Sequence, residues 1–98
     1  MTIKIPNFKQ GPVDFMRSCG YAFDREVGVE ASCMRRVSGH DYPRYHAYVK
    51  KDGTALIVNL HIDQGKPSYG GNHAHNGEYE GELVEREAER IRGFAEPQ

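Results

Sequence analysis

The sequence predicts an α+β domain, a two-layer sandwich in the order α-β-β-β-α with an antiparallel three-stranded sheet. Three observations lead there. Alternating apolar residues on either side of Asp52-Gly53, at 44–50 and 55–63, form the pattern of a β-hairpin. Between Glu82 and Arg92, Val84, Ala88 and Ile91 recur at the spacing of one helix face. Gly11-Pro12 opens a shorter apolar stretch that stops at Gly20. Hairpin strands pair antiparallel, and two amphipathic helices bury their apolar faces by packing on such a sheet.

Residues 1–10 read as an extended lead-in, with Ile3, Ile5 and Phe8 as anchors. Pro12 suits a first helical turn, where its missing N–H has no partner to lose. Val13, Phe15, Met16 and Cys19 give the first helix its apolar positions. Gly20 is a natural stop because it adopts positive φ without a Cβ clash. Asp24 to Glu30 is polar, contains Gly28 and reads as a loop. Ala31 to Ser38 is a strand candidate, broken by Gly39 to Pro43.

In the hairpin, a two-residue Asp52-Gly53 turn pairs Val49 with Leu56, Ala47 with Val58 and Tyr45 with Leu60, all on one buried face. The same register puts Arg44, His46, Tyr48, Lys50, His61 and Asp63 on the opposite face. It makes His46 and His61 diagonal neighbours, about 7–8 Å apart at Cα. The last helix runs from Glu82 to Arg92, with glutamates in its first turns and arginines in its last to complement the helix dipole.

The 98 residues make one domain, and no apolar run reaches the roughly 18 residues of a membrane span. Met1 to Gln10 lacks the apolar core of a secretory leader, so a cytoplasmic location is expected. Cys19 and Cys33 have no metal-binding spacing and are expected as reduced, buried thiols. Net charge is −1. It divides into 0 over residues 1–34, +3 over 35–66 and −4 over 67–98. This is not the strongly basic stripe of a dedicated nucleic-acid binder.

Function is sought in His61 to Glu82, which holds three of five histidines, five glycines and almost no aliphatic residue. Such a segment buries little apolar surface against the entropy of ordering it. Residues 64–81 are expected as a long loop folded over the open sheet face, a length that compact domains keep mainly for a purpose.

The α-β-β-β-α order resembles that of double-stranded RNA-binding domains and of HicA-type messenger-RNA interferases. Cys19-Gly20-Tyr21 is similar to the Gly-aromatic end of the first HicA helix. Ser38-Gly39-His40, followed by His46, resembles the Gly-Ser-His signature that carries that family's catalytic histidine. The residue order differs, and Asp41-Tyr42-Pro43 intervenes before the strand. The resemblance implies a small RNA-associated module with a catalytic histidine. Residues 59–91 are also similar to small hypothetical proteins of reduced-genome bacteria, a likeness that implies no activity.

Three uses of the open face follow from its residue types. In the first, His46 and His61 are the base and acid of a ribonuclease, and Arg44, Tyr48, Lys50, Asp63 and Tyr69 contact the ligand. Asp63 would orient His61. In the second, His61, His73 and His75 bind zinc, which takes about four nitrogen, sulfur or carboxylate ligands. In the third, the face or an edge strand joins two copies into a homodimer. Against all three stands the plain alternative that the histidines pin the loop to the sheet. Gly70-Gly71 reads as a turn, and Glu78, Glu80 and Glu82 as a solvated acidic helix start.

Overall fold

The computed structural model describes residues 1–65 and 73–95. In chain order they form β1 (Thr2–Ile5), α1 (Pro12–Ser18), β2 (Ala22–Val27), β3 (Glu30–Arg36), β4 (Arg44–Asp52), β5 (Ala55–Asp63) and α2 (His73–Ala95). The strands make one antiparallel sheet in the order β1-β5-β4-β3-β2. The class is α+β, but the sheet has five strands among the described residues, which overturns the three-stranded α-β-β-β-α expectation.

The lead-in is itself a strand. Ile3 pairs with Val58 and Ile5 with Leu56 at the β5 edge, and Ile3 is fully buried. Reciprocal bonds between Met1 and Leu60 prolong the ladder. The expected loop at 24–30 is mostly β2 and its turn to β3. All six β2 residues are exposed, so the strand carries no alternation to read. Gly28 (φ 61°) begins the two-residue turn between Val27 and Glu30, a position that favours glycine.

The β4–β5 pairing differs from expectation by two residues. Asp52 faces Ala55, so the turn residues are Gly53 and Thr54. Gly53 has φ 61° and takes the first central position, where a type II′ turn needs positive φ. Val49 therefore opposes Val58, and His46 opposes His61 directly. A shift of two keeps every side chain on its face. Tyr45, Ala47, Val49, Leu56, Val58 and Leu60 are all buried.

Both helices share the core with that face. α1 contributes Phe15, Met16 and, just beyond its end, Cys19, while α2 contributes Ala88 and Ile91. Gly20 (φ 93°) stops α1 as expected. The Gly20 N–H bonds Arg17 O and the Tyr21 N–H bonds Met16 O, the paired bonds of a Schellman cap. This turn drives Tyr21 into the interior, where its hydroxyl donates to Glu87 of α2 at 2.6 Å. Glu87 is 3% exposed and also takes two bonds from Arg90, at 2.7 and 2.9 Å. α2 starts at His73, nine residues before Glu82, so residues 73–81 are helical and not loop. The expected crossing of the open face falls on residues 66–72, outside the described set. Among the described residues, no helix is long and apolar enough to cross a membrane.

Candidate functional site on the open sheet face

Neighbouring strands put polar groups in rows on the face away from the core. Across β4 and β5 the opposed pairs are Arg44 with Asp63, His46 with His61, Tyr48 with Asn59 and Lys50 with Ile57. Arg44 Nε lies 3.4 Å from Asp63 Oδ2. The His46 and His61 rings stand edge to face, 6.2 Å between centroids. The Tyr48 ring lies 4.6 Å from His46 and 5.5 Å from His61, so the three form one aromatic cluster. His46 and Tyr48 are half-buried and His61 is exposed.

β3 supplies a residue that composition hides. Ser32 is wholly buried, and its Oγ lies 2.5 Å from His46 Nε2 and 3.4 Å from Asp24 Oδ2. A hydroxyl has one proton to give. If Ser32 donates to Asp24, Nε2–H of His46 donates to Ser32 and Nδ1 keeps its lone pair. If Ser32 donates to Nε2, the ring proton sits on Nδ1. Either way Ser32 anchors the ring. With no exposed surface, Ser32 is no nucleophile toward an external substrate. Burial, then the charges of His61 and Arg44, push the His46 pKa down, against the pull of Asp63 and Asp24. The imidazole is therefore held toward its neutral, proton-accepting form.

A second set of missed residues supports Arg44. Its guanidinium lies over the Tyr42 ring at 4.6 Å. Gly65 (φ 79°) also lies against that ring, and an added Cβ there would sit 2.7 Å from Tyr42 Cγ. Asp63 Oδ1 accepts the Gly65 N–H at 3.0 Å, closing the turn at the end of β5. Residues 42–46 and 61–65, far apart in sequence, thus interlock through Arg44–Asp63, His46–His61 and Tyr42–Gly65.

Of the expected site residues, Arg44, His46, Tyr48, His61 and Asp63 come together. Asp63 engages Arg44 and Gly65, and not His61 as expected. Lys50 shares the face, two residue pairs beyond His46. Tyr69 lies outside the described residues, as do the side chains of His73 and His75 in the first turn of α2. Ser38, Gly39 and His40 are exposed in the β3–β4 connection. Among the described residues no group of three His, Cys, Asp or Glu converges as a metal site. The alternation of β3 was the available signal for Ser32, since it is the small polar residue between Ala31 and Cys33. Comparison with known protein families, curated proteins and solved structures gives no match for this chain.

Proposed function

We propose that the open face of β3, β4 and β5 contacts RNA, and that His46 and His61 cleave it by general acid–base chemistry. The observation that carries this reading is the direct cross-strand opposition of the two histidines beside Arg44 and Tyr48. His46 takes the proton of a ribose 2′-hydroxyl. The 2′-oxygen bonds to the neighbouring phosphorus as the bond from phosphorus to the 5′-oxygen breaks. His61 gives that leaving oxygen its proton. The products are a 2′,3′-cyclic phosphate and a 5′-hydroxyl, with one proton gained by His46 and one lost by His61.

The lowered pKa of His46 supports its role as base, because the ring is held toward its neutral form, and the role belongs to the tautomer in which Ser32 donates to Asp24 and Nδ1 carries the lone pair. Tyr48 offers an aromatic surface for a base, and Arg44 and Lys50 offer charge to phosphates. The likeness to HicA-type interferases lends no support here, since four strands rather than three separate the two helices and Ser38-Gly39-His40 lies outside the strands, so the reading stands on the histidine pair. The test is cleavage of a quenched-fluorescence oligoribonucleotide by the wild type, His46→Ala and His61→Ala, each checked for folding by circular dichroism. Either substitution should lower the rate by about 10²–10⁴-fold. A strand lacking 2′-hydroxyls should resist. No cleavage by the wild type, or equal cleavage by all three proteins, ends this reading.

A further inference from the structure

Beyond the histidines, where β3 ends and β4 begins, lies a cleft of about 380 Å³ lined by Gly20, Ala22, Met34, Arg35, Arg36, Asp41 and Arg44. The geometry points to a binding site for a phosphate-bearing ligand of nucleotide size. The inference goes beyond the acid–base reading and stands without it, since binding needs no turnover.

Arg36 and Arg44 lie on the open face and Arg35, opposite Tyr45, on the helix face, each beside one carboxylate: Asp41, Asp63 and Glu87 respectively. Arg36 and Arg44 are direct partners across the β3–β4 pair, and like charges opposed in this way destabilise a sheet. Asp41 on Arg36 and Asp63 on Arg44 offset part of that cost, and an anion between the two guanidiniums offsets more of it. The guanidiniums are also held in place. Arg44 rests on Tyr42 at 4.6 Å and against Asp63 at 3.4 Å. Arg35 lies 3.5 Å from buried Glu87 and 5.8 Å from the Tyr45 ring centroid. Ordering these side chains beforehand lowers the entropy lost on binding. A guanidinium has five N–H donors, more than one carboxylate uses, and its fork matches phosphate oxygens.

Only the Arg36–Asp41 contact, at 2.8 Å, must open. Its side chains are 62% and 75% exposed, and an ion pair so exposed is worth roughly 0–1 kcal/mol. Asp41 therefore occupies Arg36 loosely, and an entering phosphate replaces it at small cost. The volume falls in the usual range of roughly 300–1,000 Å³ for small-ligand pockets.

The test is an NMR titration of the intact protein, following backbone amides, with inorganic phosphate and separately with a 5′-mononucleotide. Expected are saturable shifts at Gly20, Ala22, Met34 and Arg36. Arg36→Gln, with its exposed side chain, should weaken affinity roughly tenfold without harming the fold. Asp41→Asn frees Arg36 and should tighten binding several-fold, while Asp52→Asn, at the far end of β4, should leave it unchanged. Phosphate and mononucleotide binding alike place the phosphoryl group in the cleft, whether it comes from a free nucleotide or an RNA end. No saturable shift with either ligand overturns the assignment, as does binding indifferent to Arg36→Gln and Asp41→Asn.

Discussion

Glu87→Ala tests what holds α2 to the sheet. Glu87 is 3% exposed and meets three side chains. The Tyr21 hydroxyl donates at 2.6 Å, Arg90 donates at 2.7 and 2.9 Å, and Arg35 lies 3.5 Å away. Breaking a buried charge network by removing one partner costs about 3–5 kcal/mol. Here the arginine side chains are 31% and 33% exposed, so water reaches both once the carboxylate is gone. The hydroxyl of Tyr21, a residue only 3% exposed, has no such recourse, and an unsatisfied buried donor costs about 1–3 kcal/mol. The lower end of the network range therefore applies, about 3 kcal/mol. In a domain of this size that lowers Tm by roughly 12–24 °C. Urea unfolding gives the free energy directly. Tyr21→Phe removes the donor along with its need for a partner, and should cost only about 1 kcal/mol. A loss under about 1 kcal/mol for Glu87→Ala, or an equal loss for both variants, would refute the reasoning.

Further expectations concern the site and the core. Gly65→Ala should cost about 1 kcal/mol for the positive φ alone, and more for the Cβ driven toward Tyr42. Tyr42→Ala should recover the steric part, which a double-mutant cycle in urea measures; simple additivity would show that the two residues do not touch. Because the folded-state pKa of His46 lies below the ordinary 6.5, the unfolded chain binds its proton first as pH falls. Its contribution to stability is full above about pH 6.5 and is lost below it, down to the folded-state pKa. His46→Gln should flatten that part of the stability-versus-pH curve, and a slope unchanged from wild type would count against the neutral imidazole. Both cysteines are free and buried, and burial pushes the Cys19 thiol up to about 11. In native protein neither should react with a thiol reagent in the time that urea-unfolded chains titrate fully, and fast native labelling would contradict their burial.

The readable parts of the fold were those whose pattern follows from burial on one side. β4 and β5 alternate because one face meets the helices and the other meets solvent, and Ala88 and Ile91 recur because one stripe of α2 meets the core. β2 was illegible because neither of its faces is buried. With no burial there is no period, and Asp24, Arg25 and Glu26 read as loop. Those charges suit an edge strand, where they discourage pairing with another chain. β1 was illegible for its length, since four residues give Ile3 and Ile5 too short a pattern. The N-terminal turns of α2 were hidden by composition. Glycines 77 and 81, with the polar residues around them, lower helix propensity, so the pattern pointed to a start at Glu82.

The site was readable to the face but not to the pairing, and the reason lies in one glycine. Face membership depends only on whether residue numbers are odd or even, so any register shifted by two residues gathers the same side chains. Which pairs meet depends on where the turn puts its positive φ. With Gly53 at the first central position, His46 meets His61 and Arg44 meets Asp63. Had Gly53 stood second, His46 would have met Asn59 and Arg44 would have met His61. The arginine would then lose its carboxylate and stand against an imidazole. The turn thus fixes both the histidine pair and the ion pair, from a position seven residues away along β4. The alternation of β3 marked Ser32 as a small polar residue, but no local pattern says which groups meet across strands and connections. Ser32 under His46, and Tyr42 between Arg44 and Gly65, become neighbours only when the sheet is assembled.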